Sequence, residues 1–447
     1  MLQKKEPHDH CCQAEPVALA ANSQNTTPLP HEYLAGIEAL TDKLLKQLHS
    51  NPNMPPSVTA DLQQETGATL VQAIKKGYNK DFDNIDYQSP DNEMIAYLQN
   101  NMYAFSAAKT FAQIQELQKL LTDPDTGNPV PFAKFKDAAL AINRQYNIAH
   151  MYAEYNHAIA AAQMASAWLQ IEKDSEDFPY LQYTTAGDER VRAQHATLNN
   201  IVLPVNSSFW DTYYPPNGWN CRCNVIQLTQ DQALKKGITD ENNAKSIAAK
   251  DAVTQKLFAM NSGKSKVVYS NQHPYFSSLG KANTELSATK NYGMKTIKQI
   301  YEQQNIPQLP QTTINSYQEL QEWWKQNQDE NGAIQIQTPL SAKVILDKKL
   351  LKHLRNTKQI EEKRYELIGA ALAALQNPNE VWQNFNQGKQ QGSASLNTLF
   401  IKYYKDSVIV VAVANDNGKQ VVKTFYSAQA TEQALSAKRT GILIKKQ

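Results

Sequence analysis

The segment PPNGWNCRC, residues 215–223, places two prolines, a tryptophan and two of the chain's four cysteines close together. The prolines restrict the backbone on the approach, and Gly218 permits a sharp turn. If the chain is extended after that turn, Cys221 and Cys223 point to the same face, because side chains alternate along an extended segment. The segment therefore predicts a rigid turn that presents two thiols side by side.

The composition predicts a folded protein of two or three domains. The chain has 447 residues, of which 41% are hydrophobic and 20% charged, which is enough to bury a sizeable core. No run of about 18 apolar residues occurs, and the opening MLQKKEPHDHCCQAEP lacks the apolar region of a secretory signal. We therefore expect neither membrane insertion nor signal-directed export. Four cysteines in so long a chain predict reduced thiols rather than a disulfide framework.

The charge is unevenly distributed along the chain. Residues 341–447 contain 17 Lys and Arg against 8 Asp and Glu, a net charge of +9, whereas the remainder carries −7. A basic C-terminal part on an acidic body favours contact between that part and a polyanion such as nucleic acid. A solvated basic surface without such a partner would give the same composition.

The N-terminal part reads as a mainly helical domain behind a flexible arm. Residues 1–32 are poor in periodic apolar positions and predict the arm, in which HDHCC could bind a soft metal or simply be disordered. Residues 33–262 predict the domain, with helical periodicity interrupted by NPNMPPS, SPDNE and TDPDTGNPVP. Within it, residues 178–228 predict a small irregular or β region with Pro and Gly turns.

The C-terminal part reads as a separate α+β module. Residues 263–311 have little periodicity and predict a linker. Residues 312–447 predict a helix, the short strand GAIQIQT, a helical stretch over 341–375, and a β-hairpin around Asn417 and Gly418. The whole chain is therefore predicted to be an α+β multidomain protein whose C-terminal sheet is antiparallel.

His195 is the imidazole closest in sequence to the two thiols, in a predicted helix that starts near residues 186–188. A Cys221, Cys223 and His195 set would suit zinc with an open fourth position. The same residues could instead be packed or hydrogen-bonded parts of a small fold, or a Cys and His nucleophilic pair. The spacing does not choose between these alternatives.

The order GDERVRAQH, then FW, then PPNGWNCRC resembles the signature of the phage Mu F-like head morphogenesis family, also called minor head proteins. The resemblance covers residues 95–228, and its most specific part is 183–228. One departure is visible: many relatives have Asp-Gly where this chain has Asn199 and Asn200, although Asn also tolerates a left-handed backbone. The signature positions are Arg190, Arg192, His195, Pro216, Asn220, Cys221, Arg222 and Cys223.

That resemblance implies a minor capsid component in the virion, at the capsid interior or the portal vertex. The implied partners are phage portal and capsid proteins and packaged DNA, with a role in head assembly and DNA packaging. Residence in a virion would also carry the protein out of the producing cell without a signal peptide.

The C-terminal order NPNEVW, then KYY, then TFY, then KRTG resembles the phage-associated barnase/EndoU/colicin/RelE-like nuclease domains. This resemblance implies metal-independent cleavage of RNA and a polymorphic toxin or effector role, with an immunity protein as a possible partner. Such cleavage needs a base for the 2′-OH proton, a cation for the phosphorane and an acid for the leaving oxygen.

The candidate catalytic residues for that chemistry are His353, Arg364, Lys402, Thr424 and Tyr426, and the candidate backbone clamps are Lys438 and Arg439. Each residue also has a structural interpretation. His353 could be a satisfied core histidine, Arg364 could lie on a solvated helical face, and Thr424 with Tyr426 could be ordinary sheet residues.

The sequence therefore predicts a phage or prophage minor head protein that carries a ribonuclease-like C-terminal domain and needs no cofactor, apart from a possible structural zinc. The rival hypothesis is a purely structural minor capsid protein whose basic C-terminal domain binds DNA or capsid without catalysis.

Overall fold

Five long helices form the first part of the chain in the computed structural model. The structure describes residues 27–52, 60–80, 89–250, 255–279, 288–289, 292–340, 343–387, 394–416 and 419–446. The helices are α1 (His31–Ser50), α2 (Ala60–Tyr78), α3 (Pro90–Gln118), α4 (Phe132–Arg144) and α5 (Met151–Lys173). The predicted interruptions NPNMPPS and TDPDTGNPVP lie between helices, whereas SPDNE lies at the start of α3. At α3 the helix starts in the expected way: Ser89 caps it, and Pro90 occupies the first turn.

Residues 145–150 join α4 to α5 through one π-helical stretch, so the two helices form a nearly continuous rod. The alanine-rich sequence favours such a rod, because Ala has the highest helix propensity. Helix α1 begins at His31, inside the predicted arm, and Leu29 before it is buried. The HDHCC cluster lies outside the described residues.

A small antiparallel sheet follows α5. Its elements are β1 (Tyr180–Thr184), α6 (Ala193–Ala196), β2 (Val202–Pro204), α7 (Phe209–Tyr213) and β3 (Asn224–Leu228), with strand order β2-β1-β3. This confirms the predicted small β region. The helix that carries His195 is shorter than expected: it begins at Ala193, because residues 185–192 form a loop with Gly187 at a φ of 71°.

Within the described residues, five short α-helices lie between this sheet and the C-terminal module. They are α8 (Gln230–Lys236), α9 (Glu241–Lys250), α10 (Ser262–Ser265), α11 (Pro274–Leu279) and α12 (Ile297–Gln303). The last three lie in the predicted linker, whose described residues are packed rather than free. Tyr269 and Tyr292 are buried, and Tyr269 stacks on Phe105 of α3 with ring centroids 3.7 Å apart. Aromatic burial of this kind leaves no periodic signal in a short segment.

In the part of the C-terminal module that the structure describes, seven strands form one sheet with helices beside it. Its elements are α13 (Tyr317–Asn327), β4 (Ile334–Gln337), β5 (Lys343–Leu346), α14 (Lys348–Leu354), α15 (Thr357–Glu361), α16 (Ile368–Gln376), β6 (Glu380–Gln387), β7 (Ala394–Tyr404), β8 (Ser407–Asp416), β9 (Lys419–Ala428), α17 (Glu432–Leu435) and β10 (Ile442–Lys446). The strand order is β10-β6-β7-β8-β9-β5-β4.

The described pairs in this sheet are antiparallel except for β5 with β9, which is parallel. Strands β8 and β9 form the predicted hairpin, and Asp416 pairs with Lys419 across the turn. Asn417 and Gly418 themselves lie outside the described residues. The prediction of a helix from residue 341 was wrong at its start: the apolar run in β5 is a strand that lies between its neighbour in sequence, β4, and the distant strand β9.

The N-terminal helices and the C-terminal sheet share one hydrophobic core. The amide of Gln63 in α2 donates to the carbonyl of Leu443 in β10 at 2.8 Å. At the other end of the sheet, the amide of Asn92 in α3 donates to the carbonyl of Lys343 at 3.2 Å. The chain is an α+β protein with a helical first part and a sheet-based last part, as predicted. Among the described residues, no helix is long and apolar enough to cross a membrane.

Candidate functional sites

His195, Cys221 and Cys223 come together at one end of the small sheet. Their side chains are buried, with exposed fractions of 3%, 7% and 9%. The Nδ1 atom of His195 lies 3.6 Å from the Sγ of Cys221 and 3.7 Å from the Sγ of Cys223. All three potential ligand atoms lie within 4.8 Å of one another. The structure therefore joins two thiols and an imidazole that are 26 and 28 residues apart in sequence.

The local backbone explains how the two thiols reach the histidine. The Pro215-Pro216 peptide is cis, and Asn220 adopts a left-handed φ of 55° immediately before Cys221. The left-handed residue of this turn is thus Asn220 rather than Gly218, since Asn is one of the few non-glycine residues that tolerate it. Asn200 is also left-handed, with a φ of 69°, as its departure from the Asp-Gly pattern allows.

Polar contacts fix the loops on both sides of the two thiols. The guanidinium of Arg222 donates to both carboxylate oxygens of Asp188, at 2.5 and 2.6 Å. This bidentate pair lowers the pKa of the Asp188 carboxyl to about 2. Arg192 donates to the carbonyl of Trp219 at 2.6 Å. The signature arginines therefore position the loop that carries the thiols, and Arg190 contacts Asp188 more loosely at 3.7 Å.

The thiols also influence each other's ionisation. A hydrogen bond from the Cys223 thiol stabilises the Cys221 thiolate and, together with nearby His195, lowers the pKa of Cys221. The same thiolate raises the pKa of Cys223 above its ordinary value. A cavity of about 20 Å³ opens beside the cluster and is lined by residues of the two loops. This is space for about one water molecule.

A second cluster lies on β9 of the C-terminal module. The guanidinium of Arg364 donates to the hydroxyl of Thr424 at 2.9 Å and lies 5.7 Å from the ring centre of Tyr426. The ammonium of Lys438 lies 6.0 Å from the same ring centre. Thr424 and Tyr426 are two positions apart on one strand and face the same side. Four of the predicted residues therefore meet at one place on the sheet.

His353 belongs to the same neighbourhood. It lies near the end of α14, and burial together with the nearby charge of Arg364 lowers its pKa. Its Nε2 atom is buried and makes no hydrogen bond within the part of the chain that the structure describes. The imidazole is therefore mostly neutral at pH 7 and has an unused nitrogen.

Lys402 does not join this cluster, which corrects its predicted place in the site. It pairs with Ile409, and Ile409 pairs with Ser427, the neighbour of Tyr426. Adjacent strand residues face opposite sides, so Lys402 lies on the other face of the sheet from Tyr426. Its ammonium donates to the carbonyl of Asn377 at 2.6 Å.

Arg439 is also misplaced by the prediction, because it is a buried structural residue and not a clamp for a nucleic-acid backbone. Its side chain is 1% exposed, and its Nε and Nη2 atoms each donate to Glu380 at 2.9 Å. The indole of Trp382 and the hydroxyl of Tyr403 also donate to Glu380, at 2.8 and 2.6 Å. A charge enclosed in this way is unable to reach a phosphate.

The buried network was not predicted as a unit, although the sequence carried a signal for it. Glu380, Tyr403 and Arg439 belong to NPNEVW, KYY and KRTG, three of the blocks that carry the nuclease resemblance. The network joins the starts of β6 and β10 to the end of β7. Glu380 and Tyr403 also border a cavity of about 550 Å³ between the module and the N-terminal helices.

Comparisons with known proteins find similarities for both parts of the chain. Residues 112–226 match the family described as Phage Mu protein F like protein. The putative capsid assembly protein F of Escherichia phage Mu is 39% identical over 84 residues, which is 19% of each chain. The Mu-like prophage FluMu F protein of Haemophilus influenzae is 29% identical over 89 residues, which is 20% of this chain and 22% of that relative.

These matches span about a fifth of the length of the curated relatives. No solved structure matches the chain significantly. Residues 319–445 match the family described as phage-Barnase-EndoU-ColicinE5/D-RelE like nuclease2. Residues 112–226 are therefore similar to the Phage Mu protein F like family, and residues 319–445 are similar to this family of phage nuclease-like domains.

Proposed function

We propose that the chain is a phage minor head protein of the virion, located at the capsid interior or the portal vertex, and that its C-terminal module is a metal-independent ribonuclease. The match of residues 112–226 to the Phage Mu protein F like family and the similarity of 84 residues of the chain to a putative capsid assembly protein support the first part. The single observation that supports the second part is the cluster in which Arg364, His353, Thr424, Tyr426 and Lys438 converge.

The cluster offers each group that RNA cleavage by internal transfer requires. In that reaction the 2′-oxygen attacks phosphorus, the 5′-oxygen leaves, and the products are a 2′,3′-cyclic phosphate and a free 5′-hydroxyl. His353 is the proposed base that takes the 2′-OH proton, because its imidazole is mostly neutral at pH 7. The Tyr426 hydroxyl is the proposed acid that returns a proton to the 5′-oxygen.

Arg364 and Lys438 supply the positive charge for the phosphorane. Arg364 is held by the neutral Thr424 hydroxyl and by Glu362 at 2.6 Å. Glu362 is 41% exposed, so this ion pair is screened by water and a phosphate can compete for the guanidinium. The planar guanidinium can then donate two parallel hydrogen bonds to phosphate oxygens.

The proposed location in the virion implies which molecules the protein would contact. Portal and capsid proteins and packaged DNA would contact the protein in the particle, and RNA would be the substrate after delivery to a host cytoplasm. A cell that assembles such particles would need an immunity protein to block the module, as in other polymorphic toxins.

The net charge of +9 over residues 341–447 favours a second candidate function. In that case the module binds packaged DNA or capsid and does not cleave RNA, because phosphate neutralisation by Lys and Arg is sufficient for binding.

One experiment separates the two functions. The purified full chain is incubated with an RNA and a DNA of the same sequence, without added divalent cations. Cleavage of RNA alone that leaves a cyclic phosphate, needs no Mg²⁺ and is lost in His353→Ala supports the ribonuclease. Salt-sensitive binding to both nucleic acids without cleavage supports the binding function and overturns the enzyme. Detection of the chain in purified phage particles by mass spectrometry tests the virion assignment separately.

A further inference from the structure

We infer that His195, Cys221 and Cys223 bind one Zn²⁺ ion, with a water molecule in the fourth position, and that this ion locks the Mu F-like region together. The inference is independent of the ribonuclease proposal, because the three residues lie in a different part of the chain. It rests on the geometry, the donor types and the burial of the cluster.

The geometry agrees with tetrahedral zinc. With Zn–S bonds of about 2.3 Å and Zn–N bonds of about 2.0–2.1 Å, a tetrahedral ion separates sulfur from nitrogen by about 3.6 Å. The two observed separations from His195 Nδ1 are 3.6 and 3.7 Å. The single Nδ1 position cannot make two strong hydrogen bonds to two thiols at once, whereas one ion between the three atoms satisfies all of them.

The donor set favours zinc over the hard cations. Two thiolates and an imidazole are the soft ligands that zinc prefers, while Ca²⁺ and Mg²⁺ prefer oxygen. Two thiolates and a neutral imidazole also cancel the charge of a divalent ion, so the buried site as a whole would be neutral. The positive neighbours are engaged elsewhere: Arg222 is paired with Asp188, and Arg192 donates to a backbone carbonyl.

The surroundings leave one coordination position open. Among the described residues, the group within ligand distance contains three His, Cys, Asp or Glu side chains. The adjoining cavity of about 20 Å³ is large enough for one water molecule. A three-residue site with a bound water therefore fits the space that the protein provides.

The ion would add a further link between two segments that the contacts of Arg192 with Trp219 and of Arg222 with Asp188 already join. His195 lies on the four-residue helix α6, and the thiols lie in an irregular segment before β3. Because metal binding is linked to folding, removal of the ion should loosen both segments and lower the melting temperature of the protein.

The test is the metal content of the full chain, purified with a phosphine reductant and without chelator. We expect about one zinc per chain by plasma mass spectrometry, and its loss in Cys221→Ser, Cys223→Ser and His195→Gln. The matched control is Cys11→Ser combined with Cys12→Ser, which removes the chain's other thiols and should leave the zinc in place. Replacement by Co²⁺ should give intense tetrahedral absorption with a thiolate charge-transfer band that Cys221→Ser abolishes.

A second measurement keeps the inference testable if those variants do not fold. The wild-type chain is stripped of metal, given ZnCl₂ or buffer, and treated with iodoacetamide, and the alkylated cysteines are mapped by peptide mass spectrometry. Zinc should protect Cys221 and Cys223 from alkylation and leave Cys11 and Cys12 reactive. Folded protein that takes up no zinc, zinc that follows Cys11 and Cys12, or a Cys221 to Cys223 disulfide in the reduced preparation overturns the inference.

Discussion

Two arginines of the C-terminal module, Arg439 and Arg364, show how differently the same side chain is used within one sheet. Arg439 is 1% exposed and bound to Glu380, to which Trp382 and Tyr403 also donate hydrogen bonds. Arg364 is 13% exposed, and its partners are a neutral hydroxyl and a carboxylate that is itself 41% exposed. The first charge is neutralised inside the protein, whereas the second remains available to an anion.

This difference teaches that positive charge in the sequence does not by itself locate a nucleic-acid site. The basic run KR at residues 438–439 contains one residue of each kind. Lys438 approaches the Tyr426 ring at the candidate site, and Arg439 points into the core. Adjacent residues therefore serve stability and the candidate site separately, and substitutions can separate the two roles.

The largest expected effect comes from Arg439→Ala. Removing one partner of a buried ion pair costs about 3–5 kcal/mol, because the other charge is left uncompensated. Thermal and urea unfolding of the full chain, followed by circular dichroism, measure the loss. Lys438→Ala is the matched control and should change stability by less than about 0.5 kcal/mol. Equal stability of the two variants would contradict the buried network.

Arg364→Ala should have the next largest effect, on RNA cleavage. Loss of a cation that stabilises developing charge reduces the rate by about 10²–10³-fold. The unfolding midpoint should change little, since Arg364 is paired with an exposed carboxylate. Lys358→Ala, an exposed cation on the neighbouring helix α15, is the control and should cleave at the wild-type rate. If the cleavage rate falls by a similar factor in both variants, the positive charge of Arg364 acts only by attracting RNA to the surface and not by stabilising the phosphorane.

The pH dependence of cleavage sharpens the role of His353. Its pKa is lowered below the ordinary value of about 6.5 by burial and by Arg364. As a base it works when neutral, so kcat/KM should fall as the pH decreases through this lowered pKa and reach a plateau near neutral pH. Arg364→Gln removes a positive neighbour and should move the inflection of the residual activity to higher pH. If the inflection stays at the same pH in Arg364→Gln, the charge of Arg364 does not act on the group that titrates, which would contradict this role of His353.

Lys402→Met should have the smallest effect. Lys402 lies on the opposite face of the sheet from Tyr426, so cleavage should remain within about twofold of the wild type. The variant loses one hydrogen bond to the Asn377 carbonyl, which is worth about 1 kcal/mol. Comparison of cleavage and unfolding for this variant checks both statements. A large loss of cleavage would place Lys402 back in the site and contradict the observed register.

Local sequence patterns predicted many of the elements but missed strand β5. The helices of the first part were visible from apolar periodicity and from Pro and Asp interruptions, and the β8 and β9 hairpin from Asn-Gly between β-branched runs. Strand β5 was missed because it has only four residues next to a helix and because one of its two partners, β9, lies far away in the chain. The packing of the predicted linker against α3 was missed because Tyr269 and its partner Phe105 are also far apart in the chain.

The grouping of one candidate site was predictable from the sequence, and that of the other was predictable only in part. The two thiols were expected on one side because of the CxC spacing, and His195 was added to them as the imidazole closest in sequence. Side-chain direction on the C-terminal strands depends on sheet register, and register separated Lys402 from Tyr426. The register of a strand depends on the strands with which it pairs, and the sequence of a single strand does not reveal those partners.

The sequence by itself determined the residue types, the turns and the local periodicity, because these depend on neighbours a few positions away. It thereby fixed the α+β class, the thiol-bearing turn and the charge of the C-terminal module. Only the tertiary structure decided which charges are neutralised, since burial and ion pairing depend on residues that meet across the fold. Arg439 and Glu380 are 59 positions apart in the chain, and their contact is what removes Arg439 from the candidate nucleic-acid surface.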